Sequence, residues 1–380
     1  MESPETVACV GCDVHRTFST WTARDGMNRV VMRGRLDHRD RASMRKVLSG
    51  FPAGTPVVLE SSFGWQWMSE ELGASGLRPR LAHARKVASW RSARGLAKSN
   101  RLDSDLLSEL PLQTPPWWEV WRPPTGVCQQ REWMRHRMNL VKKQTRLKNQ
   151  IHAILHRHGV LHGFADLFGV KGRLFLKALR AGKTSPNVSA SDFVVLPISA
   201  RTSLGDLLQL LDQLRGQIAR VTRELRSQVR RSEAGERLRT IPGIGWVLAY
   251  TILAEVGDIK RFRSAKHLSS YSLLAPMSWD SGEEDPDGEP VGRHVGFIGR
   301  RTLKWAFIEG AHSAIRKGGR FREIYDRRTS CGKRDRNRGL IAVAHEMCRM
   351  AFLTWSKGVE YSETPPPRPG SRLHNRRLVR

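Results

Sequence analysis

Two acidic residues follow short apolar runs within the first sixty residues of this 380-residue chain. Asp13 ends the run VACVGCD (7–13), and Glu60 ends the run PVVLE (56–60). A short apolar run between turn residues is typical of a buried strand, and open α/β sheets place their sites beyond the strand ends. Carboxylates at such positions are suited to hold hard divalent cations, which take oxygen ligands from several parts of a fold.

A helix that begins in KSNRLDSD (98–105) adds a polar pair. Asn100 and Asp103 are three residues apart and therefore share a helix face, whereas Asp105 faces elsewhere. Phosphodiester chemistry commonly uses two divalent ions about 4 Å apart, at the attacking and the leaving oxygen. A capping or surface role would explain any one of these side chains. Taken together they favour a metal site, and the pattern alone leaves both interpretations open.

The elements that must position these side chains predict an α/β domain with a mixed sheet. Asp25-Gly26 marks a hairpin turn, and Asp37 is expected to cap a helix. A Pro- and Trp-rich segment, 115–124, ends the domain. The predicted strands are 7–13, 18–23, 30–34, 56–60 and 80–84, and the predicted helices are 37–50, 65–75 and those within 86–110.

The chain is strongly basic along its whole length. Lys and Arg number 65 against 36 Asp and Glu, giving a net charge of +29 and a pI near 11.1. Charge this large and this widely spread favours an extended polyanion as partner, and nucleic acid is the leading candidate. A ribosome-associated or merely highly charged soluble protein is the alternative. A hydrophobic content of 39% is enough for packed cores and excludes wholesale disorder.

Targeting signals and disulfides are not indicated. No run of eighteen apolar residues is present, and the N-terminus is acidic where a secretory signal would be basic, so a cytoplasmic protein is expected. Five cysteines in a long chain do not form a disulfide framework. Cys9 and Cys12 make a CxxC on a predicted strand. Side chains three apart on a strand point to opposite faces, so we interpret both as core residues.

Residues 127–158 predict a long helix with few acids, suited to lie along phosphates. His152 and His156 lie one turn apart but lack a third ligand at suitable spacing, so we interpret them as phosphate-contacting or solvated groups. Irregular structure with short helices is expected over 159–204. The basic side chains of the long helix are Arg131, Arg135, Arg137, Lys142, Lys143, Arg146, Lys148 and Arg157, with His136, His152, His156 and His158.

Residues 205–231 carry apolar side chains at alternating four- and three-residue steps, which predicts a coiled-coil seam. The seam could pack against the chain's own long helix or against a second copy. Its members are Leu207, Leu211, Leu214, Ile218, Val221 and Leu225.

The segment RLRTIPGIG (237–245) precedes an apolar helix and has the pattern of a helix-hairpin-helix element. Its glycines would let backbone N–H groups at the start of that helix approach a phosphate. A plain structural turn is the alternative. Further on, a last helix is predicted at 338–356. The Pro- and Arg-rich tail, 359–380, is expected to be disordered until it meets nucleic acid.

The blocks GCDVH, VVLESSFGW and KSNRLDSDLLSEL resemble the RuvC-like DEDD domain of insertion-sequence transposases. That family includes the pilin gene-inverting and the bridge-RNA-guided recombinases. IPGIGWVLAYTILAEVG and GRHVGFIGRRTLKWAFIEGA resemble its second conserved domain. The resemblance covers roughly 7–125 and 236–320. It implies a RuvC/RNase H-like α/β catalytic domain (1–125), a basic helical and coiled-coil region (126–235), a mostly helical serine-bearing domain (236–358) and the tail.

The resemblance also implies roles for individual residues. Asp13 and Glu60 match the first two acids of the family's tetrad, and Asp103 matches the fourth. The third acid is replaced by Asn100, which offers a carbonyl oxygen without a charge, so a second metal should bind more weakly. Ser281 matches the family's serine, which is implied to attack DNA and form a phosphoserine link. Mg²⁺ is the implied ion, with Mn²⁺ a possible substitute.

The implied function is a transposase or recombinase that cuts and rejoins DNA. The implied partners are double-stranded DNA and a structured guide (bridge) RNA. A homodimer or homotetramer is expected, and we favour pairing through the coiled-coil seam because recombination needs paired active sites. Two alternatives stay open: a RuvC-like junction nuclease that uses water, and a nucleic-acid-binding relative whose site is weakened by Asn100.

Overall fold

A computed structural model of the chain describes residues 7–183, 195–277, 294–295, 299–329 and 335–363. The chain divides into two compact units, 1–123 and 124–380. This division lies next to the boundary predicted at residue 125. The further boundaries predicted at 235 and 358 stay predictions.

The N-terminal unit is built on a six-stranded mixed sheet, as its pattern predicted, with strand order β3-β2-β1-β4-β5-β6. The first three strands form an antiparallel meander, β4 and β5 continue in parallel from β1, and β6 pairs antiparallel with β5. Because β1 and β4 are parallel neighbours, their carboxyl ends meet at the same edge of the sheet. The strands are β1 (Cys9–Val14), β2 (Phe18–Arg24), β3 (Val30–Asp37), β4 (Pro56–Glu60), β5 (Arg78–Ala82) and β6 (Glu119–Val120).

Helices cover both faces of this sheet. One core contains Cys12 and Leu59 together with side chains of the first two helices. The other contains Val58 together with Leu106 and Leu107 of the fourth helix. Successive strand residues thus enter opposite cores, which is why the strands are apolar on both faces. The helices are α1 (Arg41–Ser49), α2 (Trp65–Ala74), α3 (Ala84–Ala93) and α4 (Asn100–Glu109).

The cap predicted at Asp37 was wrong. Strand β3 continues through Asp37, which pairs with Phe18 of β2. Helix α1 begins at Arg41, and the cap is Asp40, whose carboxylate accepts a hydrogen bond from the backbone N–H of Ser43 at 2.9 Å. Two acidic candidates, Asp37 and Asp40, precede this helix, and because Asp37 is paired in the sheet, Asp40 is left to cap it.

The interpretation of Cys9 and Cys12 as core residues is confirmed. Both are buried, and they lie on opposite faces of β1. The Cys9 thiol donates to the carbonyl oxygen of Ser108 in α4 at 3.2 Å, while Cys12 lies in the core below α1 and α2. Burial raises the pKa of Cys9 to about 11 and that of Cys12 to about 12, so both stay as thiols at neutral pH.

The C-terminal unit is mostly helical. Its main core is formed by α9, α11 and α13 with the ends of the two long helices. None of the helices in the described part of the chain is long and apolar enough to span a membrane. The elements are α5 (Thr125–Arg157), α6 (Val170–Ala181), α7 (Ile198–Arg230), α8 (Glu233–Arg239), α9 (Trp246–Val256), α10 (Ala265–Tyr271), α11 (Arg301–Lys317), α12 (Gly319–Thr329) and α13 (Asp335–Lys357), with a short pair β7 (Pro276–Met277) and β8 (His294–Val295).

The apolar seam of α7 packs within the chain. Leu211 is buried together with Ile151 and Leu155 of α5, and Val221 and Leu225 are buried in the main core. These side chains are therefore not available to a second copy. Of the two alternatives, the structure shows packing against the chain's own long helix, so the favoured pairing of copies through this seam was wrong.

Some basic side chains of α5 pack inside the unit, and the others are exposed. Arg131, predicted to contact phosphates, is instead buried, and its Nε and Nη2 donate to the carbonyl oxygens of Ala254 and Glu255, both at 2.9 Å. It satisfies carbonyl groups at the end of α9 that the helix itself leaves unpaired. Arg137 is half-buried and donates to Thr222 at 2.8 Å. The exposed basic residues are Arg135, His136, Lys142, Lys143, Arg146, His152, His156 and Arg157.

Candidate active site

Asp13 and Glu60 lie side by side at the ends of two parallel strands. The register of β1 and β4 pairs Cys12 with Leu59, which makes Asp13 and Glu60 the next neighbours along the strands. Adjacent strands are about 4.8 Å apart, so the two carboxyl groups share one small region. Because side chains alternate along a strand, both carboxylates point away from the core that holds Cys12, toward the face that α4 covers.

Helix α4 brings the third carboxylate to this edge. Ser99 caps the helix by accepting a hydrogen bond from the N–H of Leu102 at 3.2 Å. The Thr20 hydroxyl of β2 donates to the carbonyl oxygen of Asn100 at 3.0 Å and ties the start of the helix to the sheet. Asp103 therefore lies in the first turn of α4, above the edge where β1 and β4 end.

Gly11 allows α4 to lie directly on the sheet. A Cβ at this position would meet α4 backbone atoms of Ser104 and Ser108 and would lie 2.6 Å from the carbonyl carbon of Leu107. Only glycine permits this approach, which sets the distance between Asp13 and the helix that carries Asp103. Reasoning from the sequence missed this residue. The available signal was a glycine in the middle of an apolar strand, which often marks close approach of another backbone.

The three carboxylates act on one another electrostatically. Burial raises the pKa of Asp13, and Asp103 raises it further against the opposing influence of His15 and Lys98. Burial also raises the pKa of Glu60, and both Asp13 and Asp103 add to this effect. Asp13 and Asp103 thus make ionisation of Glu60 less favourable, and Asp103 does the same to Asp13, as expected for carboxylates that lie close together. The structure brings together the three acids that the sequence pattern selected.

Basic side chains partly neutralise the set. Nε2 of His15 lies 3.0 Å from Oδ2 of Asp13, and Nη1 of Arg91 in α3 donates to Oδ1 of Asp103 at 2.7 Å. Lys98 lies near enough to lower the pKa of both Asp13 and Glu60. Arg91 and Lys98 were not among the predicted site residues. Their part depends on contacts between elements, which no local pattern indicates.

The donor set suits a hard divalent cation in charge and ligand type. Asp13 and Glu60 are carboxylates with raised pKa values, and a cation would relieve the repulsion between them. In the arrangement shown, no three His, Cys, Asp or Glu side chains of the described residues are gathered closely enough to bind one ion. Asp103 faces Arg91 instead, so binding requires it to exchange the guanidinium for the ion. Asn100 is exposed in the same turn of α4 and could offer only an uncharged oxygen.

Asp105, two residues after Asp103, faces away from the site, as its position on the helix predicted, and it has a structural role. Its carboxylate accepts a hydrogen bond from the Thr22 hydroxyl at 2.7 Å and two from Arg33, at 3.0 and 3.1 Å. Burial alone would raise the pKa of Asp105, but the hydrogen bonds from Arg33 and Thr22 outweigh it and lower that pKa. Asp105 therefore joins α4 to β2 and β3 and cannot replace the missing fourth acid.

Replacing Asp105 by Ala should destabilise the N-terminal unit without removing a metal ligand. Three hydrogen bonds to a charged group are lost, one of them to the buried Thr22, and we expect the free energy of unfolding to fall by about 2 kcal/mol. Arg33 is partly exposed, so the screened ion pair adds little to this figure. Urea unfolding followed by circular dichroism measures the change. An unchanged midpoint would show that Asp105 does not hold α4 to the sheet.

The segment predicted to be a helix-hairpin-helix element forms α8, a turn and α9. Gly243 has a φ of 91°, and a Cβ on it would meet the carbonyl oxygen of Gly310 and lie 2.9 Å from the nitrogen of Ala314, both in α11. This glycine therefore serves helix packing. Gly245 is exposed at the start of α9, with open space beside it. Approach of a phosphate to this position stays a prediction. Ser281 lies outside the described residues.

Part of the second unit is similar to a known protein family. Residues 235–326 match the model described as Transposase IS116/IS110/IS902 family. An insertion element IS116 protein of Streptomyces clavuligerus is 31% identical over 39% of this chain and 35% of its own length. The transposase for insertion sequence element IS1328 of Yersinia enterocolitica is 24% identical over 81% of this chain and 85% of its own length. The pilin gene-inverting protein of Moraxella bovis is 30% identical over 30% of this chain and 34% of its own length.

Most of these alignments are partial, and the chain matches 35% to 49% of the length of several curated relatives. The matched segment contains most of α8, all of α9, α10 and α11, and most of α12. The resemblance predicted from the motifs is confirmed: this chain is similar to transposases of the IS110/IS116/IS902 family, and residues 235–326 match that family's model.

Proposed function

We propose that this chain is a metal-dependent DNA transposase or recombinase with a RuvC-like N-terminal domain. The observation that carries the proposal is the gathering of Asp13, Glu60 and Asp103 at one sheet edge, from three separate elements. Burial, together with their mutual repulsion, raises the pKa of the first two. The raised pKa values of Asp13 and Glu60 contrast with the lowered pKa of Asp105, whose carboxylate is held by Arg33 and Thr22 in a structural role. The kinship with insertion-sequence transposases supports DNA as the substrate.

Asp13, Glu60 and Asp103 would hold Mg²⁺ or Mn²⁺, with Asn100 as a neutral fourth oxygen. Such an ion supplies charge stabilisation for the attacking and leaving oxygens of a phosphodiester. Lys98 and Arg91 lie beside the carboxylates and can face the phosphates of a DNA strand, which the acids alone would repel. With Asp103 engaged in holding an ion, Arg91 would be available to bind a non-reacting phosphate oxygen.

Ser281 would provide the nucleophile, as the family resemblance implies. Its hydroxyl oxygen would bond to the scissile phosphorus while the bond from phosphorus to the deoxyribose oxygen breaks; the serine proton passes to solvent or a nearby base, and the leaving oxygen takes up a proton from solvent to become a hydroxyl. Attack by the deoxyribose hydroxyl of a second strand then releases the serine and restores a phosphodiester. The reaction consumes no external energy because one phosphate ester replaces another at each step.

Guidance by a structured RNA and assembly as a dimer or tetramer belong to the same proposal. The exposed basic residues of α5 extend from Arg135 to Arg157, which spans about 33 Å at 1.5 Å per residue. Duplex RNA is bound mainly through shape and phosphate contacts, which a long basic helix can supply. Two DNA duplexes must be cut for recombination, which is why more than one copy is expected.

Capture of a protein–DNA adduct tests the serine. Wild-type protein with Mg²⁺, guide RNA and labelled DNA should yield a covalent adduct that survives denaturation, and Ser281→Ala should yield none. Ser272→Ala is a matched control, because this buried serine donates to a backbone carbonyl of its own helix. If Ser281→Ala still cuts DNA and no adduct forms with either protein, a nuclease that uses water replaces the recombinase. Binding without cutting by the wild type would favour a relative inactivated through Asn100.

A further inference from the structure

Three arginines surround one tryptophan on the surface of the C-terminal unit. The guanidinium carbon of Arg239 in α8 lies 3.2 Å from the ring centroid of Trp246, the first residue of α9. Those of Arg226 and Arg230, one turn apart on α7, lie 4.9 and 5.3 Å from the same centroid. We call these four residues the arginine–tryptophan cluster.

The positive charge of this cluster is largely uncompensated. Glu236 pairs with Arg239 at 2.6 Å, but Arg226 and Arg230 have no carboxylate partner among the residues that the structure describes. The guanidinium carbons of Arg226 and Arg230 lie 4.9 and 5.3 Å from the same ring centroid, so they are at most about 10 Å apart. This distance is about one Debye length at 0.1 M salt, so salt screens the repulsion between the two charges only in part. The cluster therefore has an excess of positive charge that a bound anion would neutralise.

The cluster is held in place by packed structure. Trp246 is half-buried against the main core of the unit. On the next turn of α9, the hydroxyl of Tyr250 donates to Gln228 of α7 at 3.0 Å and fixes the spacing of the two helices. Arg226 and Arg230 themselves are exposed. Their guanidiniums are thus positioned before any partner arrives, and planar guanidiniums can donate two parallel hydrogen bonds to one phosphate.

We propose that the arginine–tryptophan cluster is a docking site for the phosphate backbone of duplex DNA. The inference rests on the proposed function only in taking DNA as the partner, and it assigns the contact to residues away from the carboxylates. Arg239 and Trp246 belong to the segment that matches the transposase family, which favours DNA over RNA as the occupant. Arg226 and Arg230 lie before that segment, so the site joins α7 to it.

Salt-dependent binding of a labelled DNA duplex tests this site. Removal of two phosphate contacts in the double variant Arg226→Ala/Arg230→Ala should lower the slope of log affinity against log salt by about 2 and weaken binding about tenfold at 0.1 M salt. Arg226→Lys/Arg230→Lys keeps the charges and should keep most of the slope. The control Lys171→Ala/Lys177→Ala removes two exposed charges from α6, which packs near Leu204 about 30 Å away along α7, and should change the slope less.

A wild-type slope and affinity in the Arg226→Ala/Arg230→Ala variant, with an unchanged melting temperature, would overturn the proposal. It is also overturned if this variant binds duplex DNA normally and loses only binding to an RNA duplex of equal length. Failure of the wild type to form a covalent adduct would count against the proposed chemistry alone, because the binding slope is measured without cutting. Conversely, if the wild type forms the adduct but the Arg226→Ala/Arg230→Ala variant keeps the wild-type salt slope, the proposed docking site is wrong and the proposed chemistry stands.

Discussion

Asp13→Asn is expected to abolish DNA joining while leaving the metal-free protein at least as stable as the wild type. Asn keeps the shape of the side chain but removes a partly buried negative charge that Glu60 and Asp103 repel. Loss of a charged ligand from a site that stabilises developing charge costs at least about 100-fold in rate. A residue whose only task was stability would show the opposite result, a loss of stability with activity retained.

The effect of pH on stability follows from the raised pKa values. Between the ordinary and the raised pKa of Asp13 and Glu60, the folded protein binds more protons than the unfolded chain. The free energy of unfolding of the metal-free protein therefore decreases as pH rises through that interval, as far as these two groups determine it. Asp13→Asn should show a smaller decrease. Thermal unfolding at a series of pH values measures both.

Divalent ions should reverse this destabilisation. Mg²⁺ or Mn²⁺ binds only the folded site, so the wild type should gain stability as the ion concentration passes the dissociation constant. Asp13→Asn should gain much less. The matched control is Asp37→Asn, which changes an exposed acid of the same unit whose carboxylate contacts the side chain and the backbone N–H of Arg39. An equal gain in Asp13→Asn and wild type would mean that the ions bind elsewhere.

Gly11→Ala should damage fold and site together. The added methyl group would overlap backbone atoms of Ser104 and Ser108 and the carbonyl carbon of Leu107, and backbone cannot rotate away as a side chain can. Helix α4 must then lift from the sheet, at a cost of about 3 kcal/mol. Because α4 carries Asp103, the variant should also lose DNA joining at temperatures where it is still folded.

Urea unfolding and the joining reaction at low temperature together check this expectation. Gly26→Ala is the control, since a Cβ there meets nothing within 4 Å. It should leave both readouts near those of the wild type. A Gly11→Ala protein with wild-type stability would show that α4 does not lie as close to β1 as described.

The acids of the site could be predicted because each lies at the end of a locally recognisable element. An apolar run that ends in Asp13 or Glu60 indicates a strand end, and the spacing of Asn100 and Asp103 indicates one helix face. That Asp105 faces elsewhere followed from the same helical spacing and is confirmed by its contacts with Thr22 and Arg33.

The remaining features depend on contacts between distant parts of the chain. The ion pair of Arg91 with Asp103 and the approach of α4 to Gly11 exist only when β1, α3 and α4 are assembled. The assignment of Arg131 to phosphate binding failed for the same reason. A basic stripe shows how many charges a helix carries, but not which one turns inward to cap the end of α9. The seam of α7 likewise shows an apolar face without its partner.

The most direct measurement of the central claim is DNA joining by wild type, Asp13→Asn and Asp37→Asn at equal concentration, with Mg²⁺ and guide RNA present. DNA binding is followed in the same samples. If the carboxylates at the ends of β1 and β4 hold the catalytic ions, wild type and Asp37→Asn join DNA, and Asp13→Asn binds DNA but joins at least about 100-fold more slowly. Joining by Asp13→Asn at the wild-type rate would contradict the account.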